Sequence, residues 1–285
     1  MHRRALLKGL LAGAAAIAMA RPGSGGAVSL DTVVKRGRMT IAVYRDFAPW
    51  SWRKDGVLTG IDVDLGRAIG EGLGVAVDFM ELTADENVED DLRNAVWKGS
   101  VVGQPPADLM MHVPFDPAFS QRITEAVIFG PYHRERFVMA CDPEQADCAG
   151  GIGGLEGNSI GVEIDSVPDF YLSGSFNGRF RSKLVHFKTP DLAVAAMRNG
   201  ELPAVMASLA QIEHGLGEAR SRYEVGTMPL PGLFRPTWEV GMAVKEDGRD
   251  LAYKVADIVA ELDRNGKLAA IFAAHGITYS STVPA

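Results

Sequence analysis

The sequence predicts a two-lobed α/β fold, each lobe a mostly parallel sheet flanked by helices, with extended segments joining the lobes. Three observations predict it. Short apolar runs alternate with helical stretches twice, once from Met39 and again from about Arg136, and such alternation is the pattern of parallel-sheet units. The 285 residues, 47% hydrophobic and 23% charged, carry enough apolar material for one large domain or two modest ones. The chain ends in helical sequence, with Leu251, Val255, Ile258 and Leu262 forming one stripe.

Residues 1–20 read as a signal peptide. His2, Arg3, Arg4 and Lys8 form a basic start, and Gly9 to Met19 is an apolar stretch too short for a stable anchor. Ala18-Met19-Ala20 fits cleavage before Arg21. The run from Arg3 to Lys8 fits a twin-arginine signal, and the general secretory route stays open. Export to the periplasm is expected, with no membrane insertion after cleavage.

The first strand is MTIAVY (39–44). A helix follows Gly60, with Asp62 or Asp64 as its cap, Leu65, Ile69 and Leu73 on one face, and Gly74 as its stop. VAVDFMEL (75–82) alternates as a strand, and Val88, Leu92 and Ala95 share a helix face that ends at Gly99. SVVGQPP (100–106) is long for a helix-to-strand connection, which makes it a candidate surface feature. DLMMHV (108–113) is the third strand, in which Met110 and His112 share a face and Met111 faces away. The second unit holds strands at RFVMAC (136–141), SIGVEI (159–164), LVHF (184–187), AVMA (204–207) and WEVGMAV (238–244). Its helices are capped by Ser166, by Thr189 with Pro190 at the first turn, and by Ser208.

Cys141 and Cys148, in CDPEQADC, favour a structural disulfide in an exported protein. A two-cysteine metal site would need more ligands, and the spacing matches no zinc motif. The net charge of −7, with no Lys/Arg block beyond the N-terminus, argues against a nucleic-acid or anionic-membrane partner. No nucleophile elbow, metalloprotease motif or phosphate loop occurs. GGIGGLEG (150–157) precedes a strand instead of following one, so it reads as a linker. Neither a cofactor nor a metal is expected.

Four segments carry a family resemblance. FAPWSWRKDGVLTGIDVDLGRAIGEGLGV (47–75) resembles the opening signature of family-3 periplasmic solute-binding proteins. LEGNSIGVEIDSVPDFYL (155–172), TPDLAVAAMRNGELPAVMAS (189–208) and GMAVKEDGRDLAYKVADIVAELDRNGKLAAIF (241–272) are similar to that family's later segments. The resemblance implies a type II periplasmic-binding-protein fold. Lobe 1 would comprise residues 38–135 plus 241–285 and lobe 2 residues 136–240, with hinges near 136–140 and 237–243.

The family's amino-acid binders hold a ligand carboxylate with an Arg and its ammonium with an Asp. Here the Asp position falls on Ser208, and the Arg would be Arg122, displaced by about two residues. Small hydroxyl residues give way to His112, Val113 and Phe115, a Gly-Thr-Thr segment to Asp165-Ser166-Val167, and an acidic position to Tyr44. Losing one partner of a buried ion pair costs about 3–5 kcal/mol, so free amino acids fit poorly. The resemblance makes Tyr44, Phe47, Trp50, Trp52, His112, Phe115, Arg122, Asp165, Ser166 and Ser208 the candidate cleft residues. Plainer roles stay open: Trp52 as the cover of a hairpin, Arg122 as a solvated side chain, and Asp165, Ser166 and Ser208 as helix caps.

DLRNAVWKGSVVGQPPADLMMHVPFD (91–116), with its Pro-rich insertion, resembles the methanol-oxidation J proteins (MoxJ/XoxJ type). That resemblance implies a binding protein without enzymatic activity, associated with a pyrroloquinoline-quinone-dependent methanol dehydrogenase. The alternatives are a substrate-binding protein delivering a small organic solute to an ABC permease and a dehydratase-like enzyme on the same fold.

Overall fold

The computed structural model describes residues 29–100 and 103–282. The expected signal peptide lies outside them. In chain order the elements are α1 (Leu30–Arg36), β1 (Arg38–Tyr44), β2 (Trp52–Lys54), β3 (Val57–Thr59), α2 (Ile61–Leu73), β4 (Ala76–Leu82), α3 (Val88–Leu92), β5 (Leu109–Phe115), α4 (Pro117–Arg122) and β6 (Ala126–Cys141). Then come β7 (Ile160–Glu163), α5 (Val167–Gly174), β8 (Leu184–Phe187), α6 (Pro190–Arg198), β9 (Ala204–Ser208), α7 (Leu209–Leu216), β10 (Glu224–Val225), β11 (Thr237–Lys245), α8 (Arg249–Arg264) and α9 (Lys267–Ala274).

Two lobes share two long strands. In the first lobe β4, β1 and β5 run parallel, β11 lies antiparallel to β5, and β6 lies antiparallel to β11. In the second lobe β9 pairs antiparallel with β6, and β7 and β8 follow in parallel. Strand β6 changes partner between two adjacent residues: Arg136 faces Thr237 of β11, and Phe137 faces Ser208 of β9. Each sheet is covered on both faces, which is why its strands read as near-continuous apolar runs. Along β1, Met39, Ile41 and Val43 enter one core, and Ala42 and Tyr44 enter the other. Along β6, Val138 and Ala140 pack on one face of the second sheet, and Met139 and Cys141 on the opposite face.

Four sequence expectations need correction. The strand expected over 136–141 is the end of the sixteen-residue β6. Gly130-Pro131 looks like a breaker, but the β6–β11 register shifts at Gly241 and absorbs the pair as a bulge. Neither Asp62 nor Asp64 caps α2. Its N-cap is Gly60 (φ 131°), and the first N–H groups donate to the Pro49 and Trp50 carbonyls at 3.0 and 2.9 Å. A Cβ at Gly60 would lie 2.2 Å from the Trp50 carbonyl oxygen, so only glycine permits this approach. Along α8, Val259 takes the buried place expected for Ile258, which lies half-buried against Gly72 of α2.

The fourth correction concerns the third strand. Met110 and His112 do not share a face. Gly241 pairs with Val113 and Ala243 with Met110, so Met111 and His112 together oppose Met242 alone. His112 takes a left-handed conformation (φ 61°), a form that one class of one-residue bulge uses. Met110 packs with Met80 and Leu92, while Met111 packs with Trp50 and Ile61. The bulge turns His112 to the Trp50 side.

Cys141 and Cys148 form a disulfide, and both are buried. The crosslink closes a short loop, so replacing both cysteines by serine is expected to lower stability by roughly 2 kcal/mol, read from thermal unfolding. A variant as stable as the parent would show that the loop is held by packing alone.

Outside the crossing strands, the Arg235 guanidinium pairs with Asp116 across the lobes at 2.8 Å, and two further contacts join them. The Trp52 ring meets that of His214 on α7 at 4.9 Å. Beyond α9, Thr278 donates from its backbone N–H and its hydroxyl to the Glu213 carboxylate, both at 2.8 Å. On either side of Thr278, Ile277 and Tyr279 pack into the first lobe, and the Arg134 N–H donates to the Ser280 carbonyl. Residues 277–282 thus strap α7 to the side of β6.

Candidate functional site

A cavity of about 210 Å³ lies between the lobes. Its first-lobe wall is Phe47, Trp50 and His112; its floor is Glu135, Phe137 and Trp238 on the crossing strands; its second-lobe wall is Glu163, Ser166, Val167, Pro168, Met206, Ala207, Ser208 and Gln211, with Pro190 beside it. The strand ends of β5 and β9 and the helix starts of α5, α6 and α7 meet there, as parallel-sheet lobes dictate.

The aromatic wall is built by a tight loop. Phe47 and Ser51 exchange backbone hydrogen bonds, both at 2.9 Å, and the Trp50 N–H donates to the Phe47 carbonyl. Anchored at the start of α2, Trp50 is 1% exposed and meets the rings of His112 (4.5 Å), His133 (5.5 Å) and Phe272 (5.9 Å). Phe47 meets His112 edge-on at 4.8 Å, so the imidazole sits between two rings. Its Nδ1 lies 3.3 Å from Oδ2 of Asp62, which is fully buried. The Asp62 Oδ1 accepts a 2.6 Å bond from the Tyr132 hydroxyl. Neither Asp62 Oδ2 nor His112 Nδ1 has a well-formed hydrogen bond.

Glu135 is 1% exposed. Its Oε1 accepts from the Arg136 N–H (2.7 Å) and its Oε2 from the Ala210 N–H in the first turn of α7 (3.2 Å). Burial pushes its carboxyl up to about 7, against the lowering pull of those bonds. Burial also raises Glu163, whose carboxylate accepts no hydrogen bond among the described residues. His133 stacks on Phe272 at 4.6 Å and accepts from the Ser280 N–H, and burial lowers its pKa to about 3. Phe137 and Trp238 pack ring against ring at 4.6 Å.

Of the ten sequence candidates, Phe47, Trp50, His112, Ser166 and Ser208 line this cavity. Ser166 and Ser208 also cap α5 and α7, and Gln211 completes a capping box with Ser208. The other five lie elsewhere. Tyr44 sits behind Phe47, its hydroxyl donating to Asp91 (2.7 Å), and burial together with Asp91 holds its phenol far above the usual range. Trp52 makes the contact with His214, and Phe115 ends β5 opposite Glu239. Arg122, exposed on α4, lies over the Phe119 ring and lines a separate depression with Arg235. Asp165 turns to solvent, and its N–H donates to Asp169.

Glu135, Phe137, Glu163, Trp238 and Gln211 were missed by sequence reasoning. A signal existed for the first two. In RERF the arginines suggest a solvated segment, but strand periodicity puts His133, Glu135 and Phe137 on one face. The structure buries His133 and Glu135 and exposes Arg134 and Arg136. Among the described residues lining the cavity none is Lys or Arg. Among the described residues no group of three or more His, Cys, Asp or Glu is arranged to hold a metal ion, and no helix is long and apolar enough to cross a membrane.

Residues 39–96 match the family model described as bacterial extracellular solute-binding proteins, family 3. No curated protein matches the chain significantly. A reconstructed ancestral cationic amino-acid solute-binding protein superposes with a TM-score of 0.69 at 19% identity, covering 87% of this chain and 99% of that one. A second structure of an ancestral amino-acid-binding protein, described as a precursor of cyclohexadienyl dehydratase, gives 0.59 at 18% identity, covering 87% and 98%. An ABC uptake transporter substrate-binding protein from Streptococcus pneumoniae with bound histidine gives 0.63 at 18% identity, covering 89% and 98%. The chain has the two-lobed periplasmic-binding-protein fold of type II, and the family-3 likeness is confined to residues 39–96.

Proposed function

We propose that this chain is a periplasmic, solute-binding-like protein with no catalytic activity of its own, which assists or activates a quinoprotein methanol dehydrogenase. The carrying observation is the charge of the cavity. Glu135 and Glu163 face it, and no cationic side chain among the described lining residues offsets them. An amino acid's carboxylate would enter that field unpaired, at a cost of several kcal/mol. The site therefore departs from that of an amino-acid receptor, although the fold is shared.

The dehydrogenase partner rests on the resemblance of residues 91–116. Its insertion lies at the surface: Gly103, Gln104 and Pro105 are exposed. Protein contact is further supported by exposed apolar side chains beside the cavity mouth. Ile164, Val167, Phe170 and Leu192 are 51, 48, 62 and 51% exposed, and Val167 also lines the cavity. A quinoprotein methanol dehydrogenase is expected to co-elute with the purified protein under native conditions, and Phe170→Asp to weaken the association. Failure to associate, with saturable binding of a small solute, would overturn the reading.

That outcome would favour a transport receptor delivering a small organic solute to an ABC permease, a reading the similarity to ABC transporter substrate-binding proteins supports. A dehydratase-like enzyme is the third reading. Glu135, pushed up to about 7, is partly protonated near neutrality, and its protonated fraction has the character of a general acid. The same two glutamates oppose an anionic substrate. Turnover of prephenate by the purified protein would establish the enzyme.

A further inference from the structure

We infer that the inter-lobe cavity is a site for a substituted ammonium group that carries no carboxylate beside it. This rests on the reading that the cavity is where the protein binds. Three features point to that ligand. The walls are aromatic: Phe47 and Trp50 flank His112 on one side, and the Phe137–Trp238 pair closes another. Aromatic faces attract cations, most strongly where water is excluded. The charged groups on the lining are carboxylates. Glu135 is 1% exposed, accepts two backbone N–H bonds and is also hydrogen-bonded by the Ser208 side chain; a carboxylate has about four acceptor sites, so one remains. Glu163 accepts no hydrogen bond among the described residues, although burial already raises its pKa.

The third feature is the polarity of the remaining lining. Ser166 and Ser208 are committed to capping helices, and Gln211 returns its amide oxygen to the Ser208 N–H. The Glu163 carboxylate is left with its acceptor sites open, and a ligand that brings N–H donors and positive charge satisfies them. A ligand carboxylate does the reverse. Loss of the lobe-2 aspartate at Ser208 is thus offset, for an ammonium, by Glu135 and Glu163, while nothing on the lining offsets the displaced Arg122. At about 210 Å³ the space suits an alkylammonium or a lysine side chain. The two sources share one chemistry: a free amine, or a lysine of a protein segment inserted through the apolar mouth.

Calorimetric titration of the full-length mature protein separates these. n-Butylammonium, which is a lysine side chain without its backbone, is expected to bind saturably, and n-butanol and butyrate to bind at least about tenfold more weakly. Glu163→Gln is expected to weaken n-butylammonium by about tenfold or more with the unfolding temperature retained, since that carboxylate supports no other group. A lysine peptide with blocked termini that binds more tightly than n-butylammonium assigns the source to a protein partner; weaker binding assigns it to a free amine. Butyrate or zwitterionic lysine binding as well as n-butylammonium, or an unchanged affinity in Glu163→Gln, overturns the inference. Absence of n-butylammonium binding while the dehydrogenase still associates overturns the inference alone and leaves the accessory reading standing.

Discussion

Trp50→Ala is expected to destabilise the protein by about 3–5 kcal/mol, the cost of emptying a well-packed aromatic site. Trp50 is 1% exposed, and its indole meets His112, His133 and Phe272, groups drawn from β5, β6 and α9. These elements converge beneath the cavity, so the same substitution removes one wall of the site. Denaturant unfolding followed by circular dichroism measures the first effect, and ligand titration the second. Trp50→Phe, which keeps a ring, should fall between the parent and the alanine variant. An alanine variant within about 1 kcal/mol of the parent would show that the surroundings collapse onto the gap and that the wall is not rigid.

The second large effect is a stability that depends on pH through two buried groups of opposite sign. Glu135 ionises near 4.5 when unfolded and near 7 when folded, so the folded protein holds the extra proton. Its contribution is fully present below 4.5 and is lost as pH rises through 7. His133 runs the other way. Its pKa is about 3 in the fold against 6.5 unfolded, so its contribution is full above 6.5 and is lost as pH falls toward 3. Between 4.5 and 6.5 the two slopes oppose each other and largely cancel. Above that window Glu135 acts alone. Glu135→Gln is therefore expected to gain stability relative to the parent as pH rises from about 5 to 7.5, by an amount of order 2–4 kcal/mol. Parallel stability curves for parent and variant across that range would refute the assignment.

Much of the fold was legible because its signals are local. Apolar runs marked the sheet strands, and Ser166, Thr189 and Ser208 announced helix starts through the chemistry of their side chains. What was hidden depends on partners distant in sequence. Asp62 looks like a cap, but carbonyls from the preceding loop had already taken the helix start, which freed the carboxylate to meet Tyr132 and His112. The turn of His112 depends on a bulge that exists only opposite Met242. Glu135 was masked by its neighbours, because two arginines make a segment look solvated even when the residue between them points inward. The candidates that lie away from the cavity show the same limit. Arg122 sits on a short helix that faces elsewhere, and Trp52 is engaged by His214, a residue more than 150 positions away.

The strap formed by residues 277–282 bears on how the protein meets its ligand in time. Thr278 holds Glu213 while its neighbours Ile277 and Tyr279 are sunk in the opposite lobe, so there is almost no slack. One residue of chain spans at most about 3.5 Å, and separation beyond that at this edge must rupture both bonds. Opening at this edge is then an activated event with its own rate, and a ligand too large to enter past the strapped lobes has to wait for it. Association becomes gated, slower than encounter and weakly dependent on ligand concentration once the gate limits it. Thr278→Val, by removing one of the two bonds, would speed association more than it changes the walls of the site.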